Sequence, residues 1–459
     1  MNMDKLNQII DGMREPLIAM VDRWLSIPSV RAEGKPGAPF GYECRMALDV
    51  ALKDAEALGF DVRDFDGYAG DVRMGAIGVE PLGILGHLDV VPAGDGWKTD
   101  PFVPFHDGDR IHARGSSDDK GPVAAALLAM KAVKDAGIPL RREVRLILGC
   151  SEETAWDDMA YYSEHCDMPR TGFSPDASYP VINTEKGSLQ ISLHADYEEN
   201  GLVKEIHVGE RHNVIPGEAS ALLRGDNFLA DKINAAAAGL GLDVKAEAVD
   251  GGVKAVSVGI PGHAAYPEGA KNALGQLLKV LRAVGLTGAL ATLADVVGTE
   301  YNGESLGIAC SDKTSGPLTC NLGILQYDAE KGLYATLDIR YPILCSHTAL
   351  TAALTAAIGG ALRVNVDSQT DPHHVAPNSQ LVSALLDAYH VVTGLERICV
   401  ATGGGTYAKC LEEGVAFGCA FPDDEDLAHQ ANEYLSIDGL MKSIRIFANA
   451  IVKLAGVQG

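Results

Sequence analysis

Four short segments dense in acidic and imidazole side chains lie between residues 86 and 176, three of them directly after an apolar run, and nothing else restricts the fold of this chain as strongly. They read Gly86-His87-Leu88-Asp89-Val90-Val91-Pro92, Ser117-Asp118-Asp119-Lys120-Gly121, Ser151-Glu152-Glu153-Thr154 and Ser174-Pro175-Asp176, and a further histidine stands far along the chain at Ala428-His429-Gln430. Strand-like and helix-like stretches alternate over residues 42–185, which predicts an α/β domain built on a mostly parallel central sheet flanked by helices. Residues 42–59 read as a helix ending at glycine, 83–91 as a buried strand and 144–149 as a second. Residues 121–136 read as a helix opened by Pro122 and stopped by Gly137, with Val123, Leu127 and Met130 on one face. The polar segments then fall at strand ends or on the loops beyond them, where open α/β sheets place their ligand crevices.

From residue 184 to about 374 the texture changes to alternating, strand-rich segments with two alanine-rich helical runs. The clearest strand is 332–341, with Leu333, Leu337 and Ile339 on one side and Tyr334, Thr336, Asp338 and Arg340 on the other. A block of this kind is expected to form its own domain. After it, the helical spacing Leu381, Leu385, Ala388, Val392 with a stop at Gly394 resumes the first style. A chain of 459 residues exceeds what one core usually supports, in keeping with two domains.

A net charge of -24 disfavours phosphate backbones and anionic membranes as partners, because binding them relies on Lys and Arg. Residues 1–10 lack the basic start, apolar run and cleavage site of a signal peptide and read as a surface helix. The longest apolar stretches, 283–297 and 349–362, are shorter than the ~20 residues of a membrane span. Nine cysteines, odd in number and never in Cys-x-x-Cys, suit reduced thiols in the cytoplasm better than a disulfide framework.

Residues two apart in a strand share a face, so His87 and Asp89 point the same way. One can bind metal while the other fixes its tautomer, although the dipeptide alone would pass for a solvated strand end. Asp118 and Asp119 precede a helix, where capping is the plain alternative. Glu152 and Glu153 follow a strand buried on both faces, where adjacent like charges need a metal or a proton. Asp176 has the same strand-end position. Imidazole and carboxylate donors without thiolate suit zinc, manganese or cobalt.

With these residues in hand, the chain resembles the M20 metallopeptidases, and most closely the PepV-type dipeptidases. The likeness is strongest over residues 86–187, including Gly94-Asp95-Gly96-Trp97, and recurs at Gly403-Gly404-Gly405-Thr406-Tyr407 and His429-Gln430-Ala431-Asn432-Glu433. The resemblance implies a catalytic domain of residues 1–184 and 375–459 with an inserted α+β lid domain at 185–374. It implies that Asp118 bridges two divalent metals, zinc foremost and manganese or cobalt as alternatives, with His87 and Asp176 completing one site and Glu153 and His429 the other. Asp89 would support His87, and Glu152 would be the general base acting on a water shared by the metals. The Asp118–Asp119 peptide is expected to be cis.

In the lid, Pro261-Gly262-His263-Ala264-Ala265 resembles the segment whose histidine polarises the scissile carbonyl once the lid closes. Asn213 matches a substrate-contacting asparagine and Arg340 the arginine that receives the substrate carboxylate. Gly404, Gly405 and Thr406 would add backbone N–H groups where a helix begins; a nucleotide loop is disfavoured there because the Walker lysine is missing. The implied activity is hydrolysis of dipeptides or short peptides with a free C-terminal carboxylate. The rivals are an N-acyl amino acid deacylase or desuccinylase on the same metals, and a non-catalytic peptide- or metal-binding protein. No nucleic-acid or membrane partner is expected, and a monomer is favoured over a dimer. Two local departures from the family, Ser151 and the acidic pair Asp157-Asp158, are expected to bear on substrate preference.

Overall fold

The computed structural model describes residues 3–76, 78–196, 201–328 and 331–457. Its chain divides into two compact units, one of residues 1–183, 374–400 and 405–459, the other of residues 184–373 and 401–404. The division places residues 401–404 with the inserted block, which no local pattern in the sequence announces.

In the first unit the four central strands Val144–Gly149, Leu82–His87, Thr171–Ser174 and Glu413–Ala416 run parallel in that order. Antiparallel strands flank them, with Ala69–Met74 and Asp61–Phe65 on one side and Val181–Glu185 on the other. Leu82–His87 is followed in the chain by a neighbour on one side, Val144–Gly149, and then by one on the other, Thr171–Ser174. His87 therefore ends the strand at which the sheet order reverses, the point where loops part and leave a crevice. Both Leu82–His87 and Val144–Gly149 are buried throughout, as parallel strands covered on two faces must be.

The helix Gly121–Ala136 carries Pro122 in its first turn and ends at Gly137 in the left-handed conformation. One apolar face was expected of it. Instead it is buried nearly all round, because Ile437–Ala455, Met3–Asp11 and Arg14–Leu25 pack on it besides the sheet, and its alanines admit them closely. Met3–Asp11 buries Leu6 and Ile10; residues 1–2 of the expected N-terminal helix lie outside the described residues.

The second unit holds an eight-stranded sheet in which the pairings are antiparallel, with Val203–Val208 and Thr319–Asp328 at its centre and Gly332–Tyr341 and Gly187–Ala195 following towards one edge. Leu189, Leu322, Leu337 and Ile339 form its core with Leu274, Leu277 and Leu281 of the helix Ala273–Ala283. The polar side of Gly332–Tyr341 is not solvent-facing: Thr336 and Asp338 are buried. Cys310 and Cys345 are joined as a disulfide and the other seven cysteines are free, so the expectation of reduced thiols throughout fails at this pair, 35 residues apart in sequence. Parity and spacing carry no information on which thiols the fold makes neighbours. Among the described residues no single helix is long and apolar enough to cross a membrane.

Candidate metal centre

His87, Glu153 and Asp176 are delivered by the ends of central strands and the loops just beyond them, Asp118 by the turn before the helix Gly121–Ala136, and His429 by the loop between the short strands Cys419–Ala420 and Tyr434–Ser436. His87 is the last residue of its strand, and its Nδ1 faces the Asp89 main-chain oxygen at 3.0 Å. Nε2 faces Asp118 Oδ1, 3.0 Å away, with Asp176 Oδ2 at 3.7 Å; without a cation it carries a proton to Asp118, and with Nδ1 donating to Asp89 it is the nitrogen a cation would take. Across the cluster, His429 Nε2 lies 3.0 Å from Asp118 Oδ2 and 3.0 Å from Glu153. Asp118 thus places one carboxylate oxygen against each imidazole. The peptide bond between Asp118 and Asp119 is cis.

Asp89 supports more than His87. Its two carboxylate oxygens accept the backbone N–H groups of Glu152 (3.1 Å) and Glu153 (3.2 Å), which ties the glutamate loop to the end of the His87 strand. Asp119 does not cap the helix; its Oδ2 accepts the His87 backbone N–H at 3.1 Å. A Cβ at position 86 would lie 2.6 Å from that oxygen, so this approach requires Gly86.

Ligand atoms of His87, Glu152 and Asp176 lie within 4.8 Å of one another, and so do those of His87, Asp118 and Glu153. The grouping differs from the expected partition in giving Glu152 reach to a cation. Hydrogen bonding separates the two glutamates: Glu153 faces His429, whereas among the described residues the Glu152 carboxylate has no hydrogen-bond partner.

The electrostatics show how crowded the negative charge is. Burial would hold the His429 imidazole neutral, but hydrogen bonds with Asp118 and Glu153 carry it up to about 11. His87 is raised in the same way, against its burial, by Asp118 and Asp89. Asp118 falls below the usual carboxylate range despite burial, because both imidazoles bond to it. Burial and neighbouring carboxylates push Glu152 well up, and burial with Asp118 takes Asp176 to about 8. Imidazole nitrogens and carboxylate oxygens converging at this density fit divalent cations, which replace protons as the compensating charge.

Two buried carboxylates with no role foreseen complete the scaffold. Glu433 is fully buried and accepts the Arg114 guanidinium (2.6 Å), the backbone N–H groups of Gly115 (3.1 Å), Ser117 (2.8 Å) and Asp118 (3.3 Å), and the Ser117 hydroxyl (3.0 Å). It holds the turn that presents Asp118. Asp158 accepts the N–H groups of Cys150 and Ser151 and is buried, so the acidic pair 157–158 bears on the glutamate loop and not, through Asp158, on substrate choice as expected. Both stand among other polar residues, so nothing in the local sequence singled out either.

The remaining candidates belong to the second unit, apart from Gly405 and Thr406. Asn213 and His263 are neighbours, since Val214 pairs with His263 across two short strands and the Asn213 main-chain oxygen accepts the Ala264 N–H at 2.8 Å. His263 Nδ1 accepts the Ala265 N–H at 3.2 Å, which leaves the ring proton on Nε2. Arg340 is paired with Asp338 through Nε (2.7 Å) and Nη2 (2.9 Å), and its Nη1 donates to the Gly403 oxygen at 3.2 Å.

The glycine run is not an open cradle of N–H groups. Gly403 donates to the Tyr266 hydroxyl at 3.2 Å and Gly404 to Thr402 Oγ1 at 3.0 Å. Nor does a helix begin at Thr406: only a single 3₁₀ turn, Tyr407–Cys410, follows, with Thr406 capping it. Glu413–Ala416 enters the sheet immediately afterwards and leaves no room for more turns.

A family model described as peptidase family M20/M25/M40 matches residues 83–453, and the chain belongs to that family of metal-dependent hydrolases. Among its relatives, YtjP of Bacillus subtilis (strain 168) is 36% identical over 96% of this chain and 98% of its own. The Beta-Ala-Xaa dipeptidase of Lactobacillus delbrueckii subsp. lactis is 35% identical, covering 89% of each chain. Among solved structures, human carnosine dipeptidase 1 has the same fold, with a TM-score of 0.63 at 15% identity over 98% of each chain.

Proposed function

We propose that this chain is a metal-dependent dipeptidase that hydrolyses the peptide bond of short peptides bearing a free C-terminal carboxylate. The observation that carries the reading is the pair of overlapping donor groups that share His87, one of which includes Glu152, whose carboxylate bonds to no described residue. The likeness to a Beta-Ala-Xaa dipeptidase supports dipeptides as the substrate class.

His87, Asp118, Glu153, Asp176 and His429 would hold two divalent cations, with Asp118 shared between the two imidazoles. When bound, such cations supply Lewis acidity and lower the pKa of nearby water. Glu152 takes the proton of the attacking water and returns it to the departing amine, the part of a general base and acid placed at the reacting groups. Asp89 keeps Nε2 of His87 available for a cation through the tautomer it supports. His263, its proton on Nε2, donates to the oxygen that gains charge in the transition state. Arg340 keeps two of the five N–H donors of a guanidinium beyond those bonded to Asp338 and Gly403, and these receive the substrate carboxylate. Asn213, whose main-chain oxygen accepts the Ala264 N–H beside His263, would contact the substrate, and Gly404-Gly405-Thr406 would supply what backbone N–H groups remain there.

Zinc is the proposed resident cation, since imidazole and carboxylate without thiolate is a common catalytic zinc set. Seven of the nine thiols are free, which supports a cytoplasmic location, and the Cys310–Cys345 disulfide counts against it. The test is a panel of dipeptides against N-acetyl and N-succinyl amino acids, with the metal-free protein reloaded in turn with zinc, manganese and cobalt. Metal-dependent release of amino acids from dipeptides is expected; turnover of the acyl compounds alone would replace the reading with a deacylase.

A further inference from the structure

Four consecutive backbone N–H groups, from Cys150 to Glu153, end on two carboxylates. Cys150 and Ser151 donate to Asp158 Oδ2 at 2.6 and 2.8 Å, while Glu152 and Glu153 donate to Asp89. The Glu152 main-chain oxygen accepts Trp156 Nε1 at 2.9 Å. The Glu152 backbone is thereby tied on both sides, and its side chain leaves the loop in one direction. Asp89 belongs to the site already described. Asp158 does not: it faces none of the candidate ligand side chains, and it is fully buried.

Helix capping does not account for Asp158. It lies in the first turn of Asp157–His165, yet of its bonds only the one from Met159 N–H to Oδ1 (2.7 Å) is local to that helix. The other oxygen turns away to the Cys150–Ser151 amides and also receives the Tyr407 hydroxyl. A Cβ at Gly149 would lie 2.6 Å from the same oxygen, so the strand end is shaped around it. Burying a carboxylate is expensive unless donors surround it, and these donors come from the segment that carries Glu152.

We propose that Asp158, held by Tyr407, is a positioning residue for Glu152: by anchoring the peptide planes at 150 and 151 it sets the direction in which the Glu152 carboxylate projects. The inference rests on the reading of Glu152 as the base. Displacing a reacting group by about 1 Å can lower turnover by about 100-fold without weakening substrate binding.

The test compares metal-loaded wild type, Asp158→Asn, Tyr407→Phe and Glu152→Gln on whichever amide of the panel the wild type turns over fastest. Asp158→Asn is expected to lower kcat by about 10- to 100-fold, with KM within about twofold and metal content unchanged. Tyr407→Phe is expected to act in the same direction by about threefold to tenfold, and the acid limb of the kcat profile moves in both variants. A folded, metal-loaded Asp158→Asn with wild-type kcat, or a loss carried by KM or by metal content, overturns the proposal. Should Asp158→Asn fail to fold, an unchanged kcat in Tyr407→Phe overturns it. Failure of the underlying reading looks different: Glu152→Gln would then retain wild-type turnover.

Discussion

The two units hold their polar residues by opposite means. In the first, the ligand-bearing turns follow strand ends, and buried carboxylates catch their backbone N–H groups: Asp119 at His87, Asp89 at Glu152 and Glu153, Glu433 at Ser117 and Asp118. In the second, Arg340 lies within an antiparallel strand and is neutralised by Asp338 two residues away, while buried amides do the bracing. Asn272 Nδ2 donates to Asn321 Oδ1 at 3.0 Å, and Asn321 Nδ2 to the Val214 oxygen at 3.0 Å, beside Asn213 and His263. The first unit is left with an excess of buried negative charge; around Arg340 the second is balanced.

The sharpest way to break this contrast is Asp118→Asn, which removes the charge facing both imidazoles. Metal content by plasma mass spectrometry and turnover are both expected to collapse, and full metal loading would mean that the two imidazoles are not bridged through Asp118. Glu152→Gln is expected to lower kcat by about 10²- to 10⁴-fold with metal content unchanged. Because Glu152 also groups with His87 and Asp176, loss of metal in that variant would exchange its role with that of Glu153.

A stability measurement probes the buried carboxylates directly. Burial raises the Asp158 carboxyl from 3.8 to about 6, so between these values the folded protein binds a proton that the unfolded chain releases. The stabilisation is present below pH ~4 and lost as pH rises through ~6, a difference of about 3 kcal/mol relative to Asp158→Asn. Urea unfolding of both proteins at pH 4 and pH 7 reads it; parallel curves would show that Asp158 is not desolvated. The smallest effect is expected in the second unit. Arg340→Lys keeps a charge for Asp338 but loses the planar fork, and KM for dipeptides should rise about tenfold with metal content unaltered. An equal rise for dipeptide amides would remove the carboxylate from the argument.

Much of the scaffold was legible because it is local. Pro122 and Gly137 bound the helix Gly121–Ala136, and an unbroken apolar run delimits Val144–Gly149. The ligand segments were legible as charged residues stranded at the ends of such runs, and the structure gathers His87, Asp118, Glu152, Glu153, Asp176 and His429 in one cluster. The acceptors behind them were not. Asp158 looks like any acid in a first helical turn, and Glu433 like a loop residue, until the fold buries them. The pairing of Arg340 with Asp338 and the Gly403 oxygen was not legible either, because alternation reports which side of a strand a residue takes, not whether another segment covers that side.

By itself the sequence determined which residues can ligate a cation and which short segments are strand or helix, since both depend on side-chain chemistry and on periodicity within a few residues. Only the tertiary structure decided the second set of contacts: Glu433 reaching back 319 residues to Arg114, Tyr407 meeting Asp158 across 249, and residues 401–404 joining the inserted unit. The physical reason is desolvation. A carboxylate acquires its role as a backbone anchor only when folding removes the water that would otherwise satisfy it, and burial is a property of the whole chain.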